Sequence, residues 1–110
     1  MTETCLVKEK STEIQNINNP KRTLCLGDIH GGYKSLLQII ERSNFNTKED
    51  QLICLGDYVD GWSQTAEVIE YLLKLEEKCV HKPIFLRGNH DAWCQEWLNF
   101  GIAKDIWVVQ

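Results

Sequence analysis

Three short segments of this 110-residue chain place acidic, imidazole or amide side chains beside glycine, each directly after a run of apolar residues. Carboxylate oxygens, imidazole nitrogens and an amide oxygen, with no thiolate among them, suit a hard or borderline cation such as manganese, iron or zinc. Carboxylates gathered without a cation would repel one another, so these residue types favour a metal site. The candidate side chains are Asp28, His30, Asp57, Asp60, Asn89 and His90.

The elements between these segments predict how the candidates come together. Apolar runs at residues 24–26, 52–55 and 83–86 predict three strands. Apolar spacing near 3.6 residues predicts a helix from Tyr33 and another after Ser63, its expected N-cap. A third, short helix is expected to end at Gly101. This βαβαβ order returns the strands parallel, so all three segments emerge at the carboxyl edge of the sheet, where such sheets bind ligands.

The chain resembles the calcineurin-like metallophosphoesterases, and most closely their phosphoprotein phosphatase branch, over about residues 23–100. The resemblance rests on three motifs in order, spaced about 30 residues apart as βαβ units require. The motifs are Gly27-Asp28-Ile29-His30-Gly31, Gly56-Asp57-Tyr58-Val59-Asp60 and Gly88-Asn89-His90-Asp91. The implied fold is α/β, a βαβαβ N-terminal half of a four-layer αββα sandwich. Residues 1–22 are polar and aperiodic and are predicted to be a flexible leader, and 23–110 to be the truncated phosphoesterase domain.

A dinuclear metal centre follows from the same resemblance. Asp28 and His30 would ligate the first ion, Asp57 would bridge both ions, and Asn89 would ligate the second. The expected cofactors are two divalent ions, manganese before iron or zinc, which together form a clamp for in-line attack on phosphorus.

Catalytic and phosphate-binding roles are implied in the same way. His90 would be the general acid at the leaving oxygen, held in orientation by Asp60, although Asp60 could instead be a turn residue or a helix N-cap. Arg87 and Gly31 would bind the substrate phosphate.

Two features depart from the family pattern. Gly61 and Trp62 stand where the phosphatase branch has an arginine that grips the substrate phosphate. The family also uses two later histidine ligands, and the remaining His81 precedes the third strand and is a poor substitute. We therefore expect an N-terminal portion of such an enzyme.

The expected activity is metal-dependent hydrolysis of phosphoserine or phosphothreonine in proteins, with a phosphorylated protein or a small phosphate ester as substrate. Two alternatives stay open: a dinucleoside polyphosphate hydrolase, and a non-catalytic remnant that binds one metal or a partner. The net charge of −4 argues against nucleic acid as a partner, and no apolar run is long enough for a membrane span. The oligomeric state is not indicated.

The cysteines and the aromatic residues near the carboxyl end of the chain give two further predictions. Five cysteines without a C-x-x-C spacing favour reduced thiols and a cytoplasmic location, with Cys25 and Cys54 as buried strand residues. A set of aromatic residues near the carboxyl end of the chain is expected to be core or interface, since no basic residues alternate with them. These residues are Trp93, Trp97, Phe100 and Trp107.

Overall fold

Three parallel strands and three helices alternate along the chain in the computed structural model, which describes residues 19–103. The elements are β1 (Arg22–Leu26), α1 (Tyr33–Arg42), β2 (Asp50–Cys54), α2 (Thr65–Lys78), β3 (Ile84–Phe85) and α3 (Asn89–Phe100). The strand order is β1-β2-β3, and both pairings are parallel. The predicted α/β class and βαβαβ order are confirmed.

One face of the sheet carries the core. Leu24 pairs with Leu52, and Leu26 pairs with Cys54, which pairs in turn with Phe85. These positions share a face because side chains alternate along a strand. Helices α1 and α2 cover that face with buried apolar residues. The helical core residues are Leu36, Val68, Leu72 and Leu75. The described residues thus form one helical layer on one sheet, half of the four layers predicted for the complete fold.

The opposite face of the sheet is open. Cys25, Ile53 and Ile84 pair in a row on that face. Cys25 is exposed and Ile84 is 44% exposed, so no part of residues 19–103 covers this face fully. The prediction that Cys25 is buried is therefore wrong, whereas Cys54, on the helix-covered face, is fully buried.

An ion pair between Arg22 and Asp50 connects the amino ends of β1 and β2. Asp50 is 1% exposed and accepts hydrogen bonds from two guanidinium nitrogens of Arg22, at 3.3 and 2.8 Å. The backbone N–H of Asn46 donates to the same carboxylate at 2.9 Å. Arg22 pairs within the sheet, so β1 begins one residue before residue 23, the predicted start of the domain. The rest of the predicted leader, residues 1–18, lies outside the described part of the chain.

Two details of the helices differ from the sequence prediction. Gln64 is the N-cap of α2, without a side-chain cap bond, so the expectation for Ser63 is wrong by one residue. Helix α3 ends at Gly101 as predicted, with a left-handed φ of 72°. However, α3 contains no buried residue, and Phe100 is 72% exposed, so its aromatic residues are not core within the described chain. Trp107 lies outside the described residues. No helix between residues 19 and 103 is long and apolar enough to cross a membrane.

Candidate active site

The loops after the three strands meet at the carboxyl edge of the sheet. The backbone N–H groups of Ile29 and His30 donate to the Asp57 carbonyl at 3.1 and 2.9 Å, and the N–H of Gly31 donates to the Tyr58 carbonyl at 2.9 Å. Because parallel strands end at one edge, motifs about 30 residues apart in sequence become neighbours in space.

Three candidate residues in these loops have a left-handed backbone. The φ angles are 48° for His30, 55° for Asp57 and 69° for Asp60. Such conformations are uncommon for residues other than glycine and cost about 1–3 kcal/mol each. The hydrogen bonds between the loops hold the three residues in these conformations, which direct their side chains toward one another.

His30 presents a nitrogen with a free lone pair to two carboxylates. Its Nδ1 lies 3.0 Å from the Val59 carbonyl, and because a carbonyl can only accept, Nδ1 carries the proton in the neutral ring. Its Nε2 then lies 3.6 Å from Asp28 Oδ2 and 3.8 Å from Asp57 Oδ2. The bond to the Val59 carbonyl raises the pKa of His30, and the two carboxylates add to the rise while partial burial opposes it.

His90 and Asp60 form the pair that the resemblance implies. Asp60 Oδ2 accepts from His90 Nδ1 at 3.1 Å, which leaves Nε2 of His90 for a substrate or a metal. The His30 and His90 rings meet edge to face, with centroids 5.0 Å apart. Their contact brings the predicted acid beside the predicted metal ligands, and the catalytic role of the pair remains a prediction.

A divalent metal ion fits the side chains at this position. Ligand atoms of His30, Asp57 and His90 all lie within 4.8 Å of one another. The imidazole of His30 and the carboxylate of Asp57 are suitable donors for a transition metal, and the Val59 bond fixes the His30 tautomer in the way that metal-binding histidines require, while the His90 ring lies beside them. Asp28, 57% exposed at its side chain, borders this cluster through its contact with His30. Asn89 is exposed at the first position of α3, and its ligand role remains a prediction.

Asp91 is the residue whose role sequence reasoning missed. Its carboxylate accepts backbone N–H groups from Asp57 at 2.6 Å, Tyr58 at 2.8 Å and Gly88 at 2.9 Å. These bonds tie the loop after β2 to the start of α3. The available signal was an acidic residue in the loop directly before a predicted helix, which is typical of a helix start. Nothing in that pattern indicates a bond to a neighbouring loop.

Asp57 and Gly88 pack too closely for a side chain at residue 88. A Cβ atom there would collide with the Asp57 carboxylate, whose Oδ1 also accepts the His90 backbone N–H at 3.0 Å. Glycine is therefore required for the third loop to approach the second.

The two predicted phosphate-binding residues differ in their exposure. Gly31 is buried, and its N–H is bonded to the Tyr58 carbonyl. Arg87 is exposed and lines a groove along α3. Trp62, which follows Gly61 at the position of the family arginine, is 74% exposed, and its N–H donates to the His30 carbonyl at 2.7 Å. Both phosphate-binding roles remain predictions.

A parallel α/β sheet with a cluster of candidate metal ligands at its carboxyl edge defines the general class of protein. Residues 21–110 match the sequence profile of the calcineurin-like phosphoesterases, and the chain belongs to this family. It is also 30% identical over 83 residues to the symmetrical bis(5'-nucleosyl)-tetraphosphatases of Coxiella burnetii strains Dugway 5J108-111 and RSA 493. The match covers 76% of this chain and 27% of those relatives, so the chain spans about a quarter of their length.

A solved structure shares the fold. The cold-active protein-tyrosine phosphatase of a psychrophilic Shewanella species superimposes with a TM-score of 0.59 and 21% sequence identity. The match covers 86% of this chain and 34% of that protein.

Proposed function

We propose that this domain takes part in metal-dependent hydrolysis of a phosphate ester or anhydride. The observation that carries the proposal is the cluster of His30, Asp57 and His90 at the carboxyl edge, with Asp60 bonded to His90. Asp28, His30, Asp57 and Asn89 would hold two divalent ions, with manganese the first candidate. When bound, such ions would activate the attacking water and offset charge on the phosphoryl oxygens.

The protein's own residues would position the substrate and move one proton. The water oxygen forms a bond to phosphorus, releasing a proton to solvent, while the bond from phosphorus to the leaving oxygen breaks. His90, charged before the step, passes its Nε2 proton to that oxygen. Asp60 keeps the ring oriented through its hydrogen bond to Nδ1.

A dinucleoside polyphosphate is the substrate class we favour. The Coxiella burnetii relatives carry a name of this class, and Gly61, followed by Trp62, occupies the position of the arginine that serves phosphoprotein phosphatases. Phosphoserine or phosphothreonine in a protein is the second candidate, because the three motifs most closely resemble that branch. A cytoplasmic location suits either substrate and agrees with the cysteine pattern.

The loss of kcat on substitution of His90 is expected to differ between these two substrate classes. Serine is a poor leaving group, so His90→Asn is expected to lower kcat on a phosphoserine peptide by about 10²–10⁴-fold. The loss on diadenosine tetraphosphate is expected to be much smaller, since a phosphate leaving group needs little protonation. Steady-state kinetics with manganese would measure both losses, with para-nitrophenyl phosphate as a reference for a good leaving group.

The results of the same assay can contradict the proposal. Equal losses of kcat on all three substrates would contradict a role of His90 in proton transfer. The absence of metal-dependent turnover, together with binding of a single manganese ion, would favour the non-catalytic alternative.

A further inference from the structure

A groove of about 450 Å³ runs along one side of α3. Its volume is within the range of about 300–1,000 Å³ that small-molecule sites occupy. The wall combines a cation, a carboxylate, two aromatic rings and polar side chains. The lining residues are Arg87, Ala92, Trp93, Gln95, Glu96, Asn99 and Phe100.

The groove lies beside the predicted proton donor. The Trp93 ring, which lines it, has its centroid 5.1 Å from that of His90, at an interplanar angle of 59°. Both residues belong to the first turns of α3, so their relative position is fixed by the helix. A side chain that donates a hydrogen bond or a proton to the leaving oxygen must lie next to that oxygen, and the group attached to it therefore departs on the side of His90.

The chemistry of the groove is complementary to a nucleotide. The Arg87 guanidinium has no ion-pair or hydrogen-bond partner within residues 19–103 and is free to bind an anion. Guanidinium groups bind phosphate through paired N–H donors. Trp93 and Phe100 offer aromatic surface, on which a nucleobase can stack.

We propose that this groove binds the nucleoside diphosphate half of the substrate that leaves when the phosphoanhydride bond is cleaved. The inference rests on the proposed function and adds a binding site for the leaving group. Arg87 binds the leaving diphosphate, and Trp93 stacks on the base.

Adenosine diphosphate is the direct probe, since it is one half of diadenosine tetraphosphate. Calorimetry with the 110-residue chain and manganese would measure its Kd for Arg87→Gln and Trp93→Leu. We expect each variant to weaken binding by about 10-fold or more, as lost stacking or a lost charged bond does. Trp93→Leu is expected to weaken the binding of inorganic phosphate, which lacks the base, less than the binding of adenosine diphosphate. Trp93→Phe keeps an aromatic ring and is expected to recover most of the binding.

Arg42→Gln is the matched control, because Arg42 is an exposed cation in the last turn of α1. Equal adenosine diphosphate affinity in Arg87→Gln and Arg42→Gln would overturn the inference. A protein that hydrolyses para-nitrophenyl phosphate with manganese but binds no adenosine diphosphate would overturn the groove assignment and leave the hydrolase intact. A chain that neither binds manganese nor turns over any ester would overturn both.

Discussion

Asp57 lies at the centre of the site and contacts residues that follow both of the other strands. Its backbone N–H is bonded to Asp91, its Oδ1 accepts from the His90 N–H, and its Oδ2 faces His30. The residue is 9% exposed and has a φ of 55°. A carboxylate held in this way is a preorganised ligand, because its orientation does not depend on the ion.

Manganese affinity is expected to fall in Asp57→Asn and Asp28→Asn. An amide supplies less negative charge than a carboxylate, and each loss should exceed the roughly 10–100-fold cost of removing an outer partner of a metal ligand. Titration calorimetry would measure both, with Glu70→Gln as a control on the exposed side of α2. Unchanged affinity in both variants would refute the metal assignment.

Asp91 is expected to act on the metal site without touching the ion. Asp91→Ala would leave three N–H groups without their acceptor, including that of Asp57, and would release the loop after β2. We expect manganese affinity to fall by about 10–100-fold. Asp91→Asn keeps one acceptor oxygen and should show a smaller loss. A variant with lower thermal stability but normal manganese affinity would limit Asp91 to a role in folding.

At the scale of elements, the ion pair between Arg22 and Asp50 joins the strand starts. The Arg22 guanidinium, with the Asn46 N–H, holds the pKa of Asp50 below its usual range. The pair therefore stabilises the fold above the unfolded-state pKa of about 4, and the contribution is lost as pH falls toward the lower folded-state pKa.

Asp50→Asn is thus expected to be less stable than the unsubstituted chain at pH 7, and the difference should shrink below about pH 4. Urea unfolding at a series of pH values would measure it. Glu49→Gln is the matched control, because Glu49 is exposed and its contact with Lys21 is long, at 3.9 Å. A difference that stays constant down to pH 2 would contradict a role for the charge.

The order of elements could be predicted from the sequence because apolar runs and glycines are local signals. The meeting of the three loops followed from the crossover geometry that makes the strands parallel. The pairing of His90 with Asp60 was accessible only through the family resemblance. Arg22 and Asp91 were missed because their partners lie 28 and 33 or 34 residues away, beyond any local pattern. Trp97, which was expected to be a core or interface residue, is 49% exposed within the described chain, because an amphipathic spacing does not show how much of a helix face is covered.

At the scale of the whole molecule, the described chain has one covered face and one open face. The site lies at the edge between them, where loops from all three strands converge. Helix α3 links the site to the groove, since it carries His90 near its start and Trp93 within its first turns. Any polypeptide packed against α3 would therefore change the access of ligands to His90.

Cys25 lies on the open face of the sheet, so the reactivity of its thiol can report whether this face is covered in solution. Cys25 is exposed there, whereas Cys54 and Cys79 are buried, and burial raises the pKa of Cys54 to about 12. Alkylation requires an accessible thiolate, so iodoacetamide at pH 8 should label Cys25 well before either buried cysteine. Peptide mapping by mass spectrometry would give the order of labelling. Slow labelling of Cys25 in the native protein, and fast labelling in urea, would show that a second copy or additional polypeptide covers this face in solution.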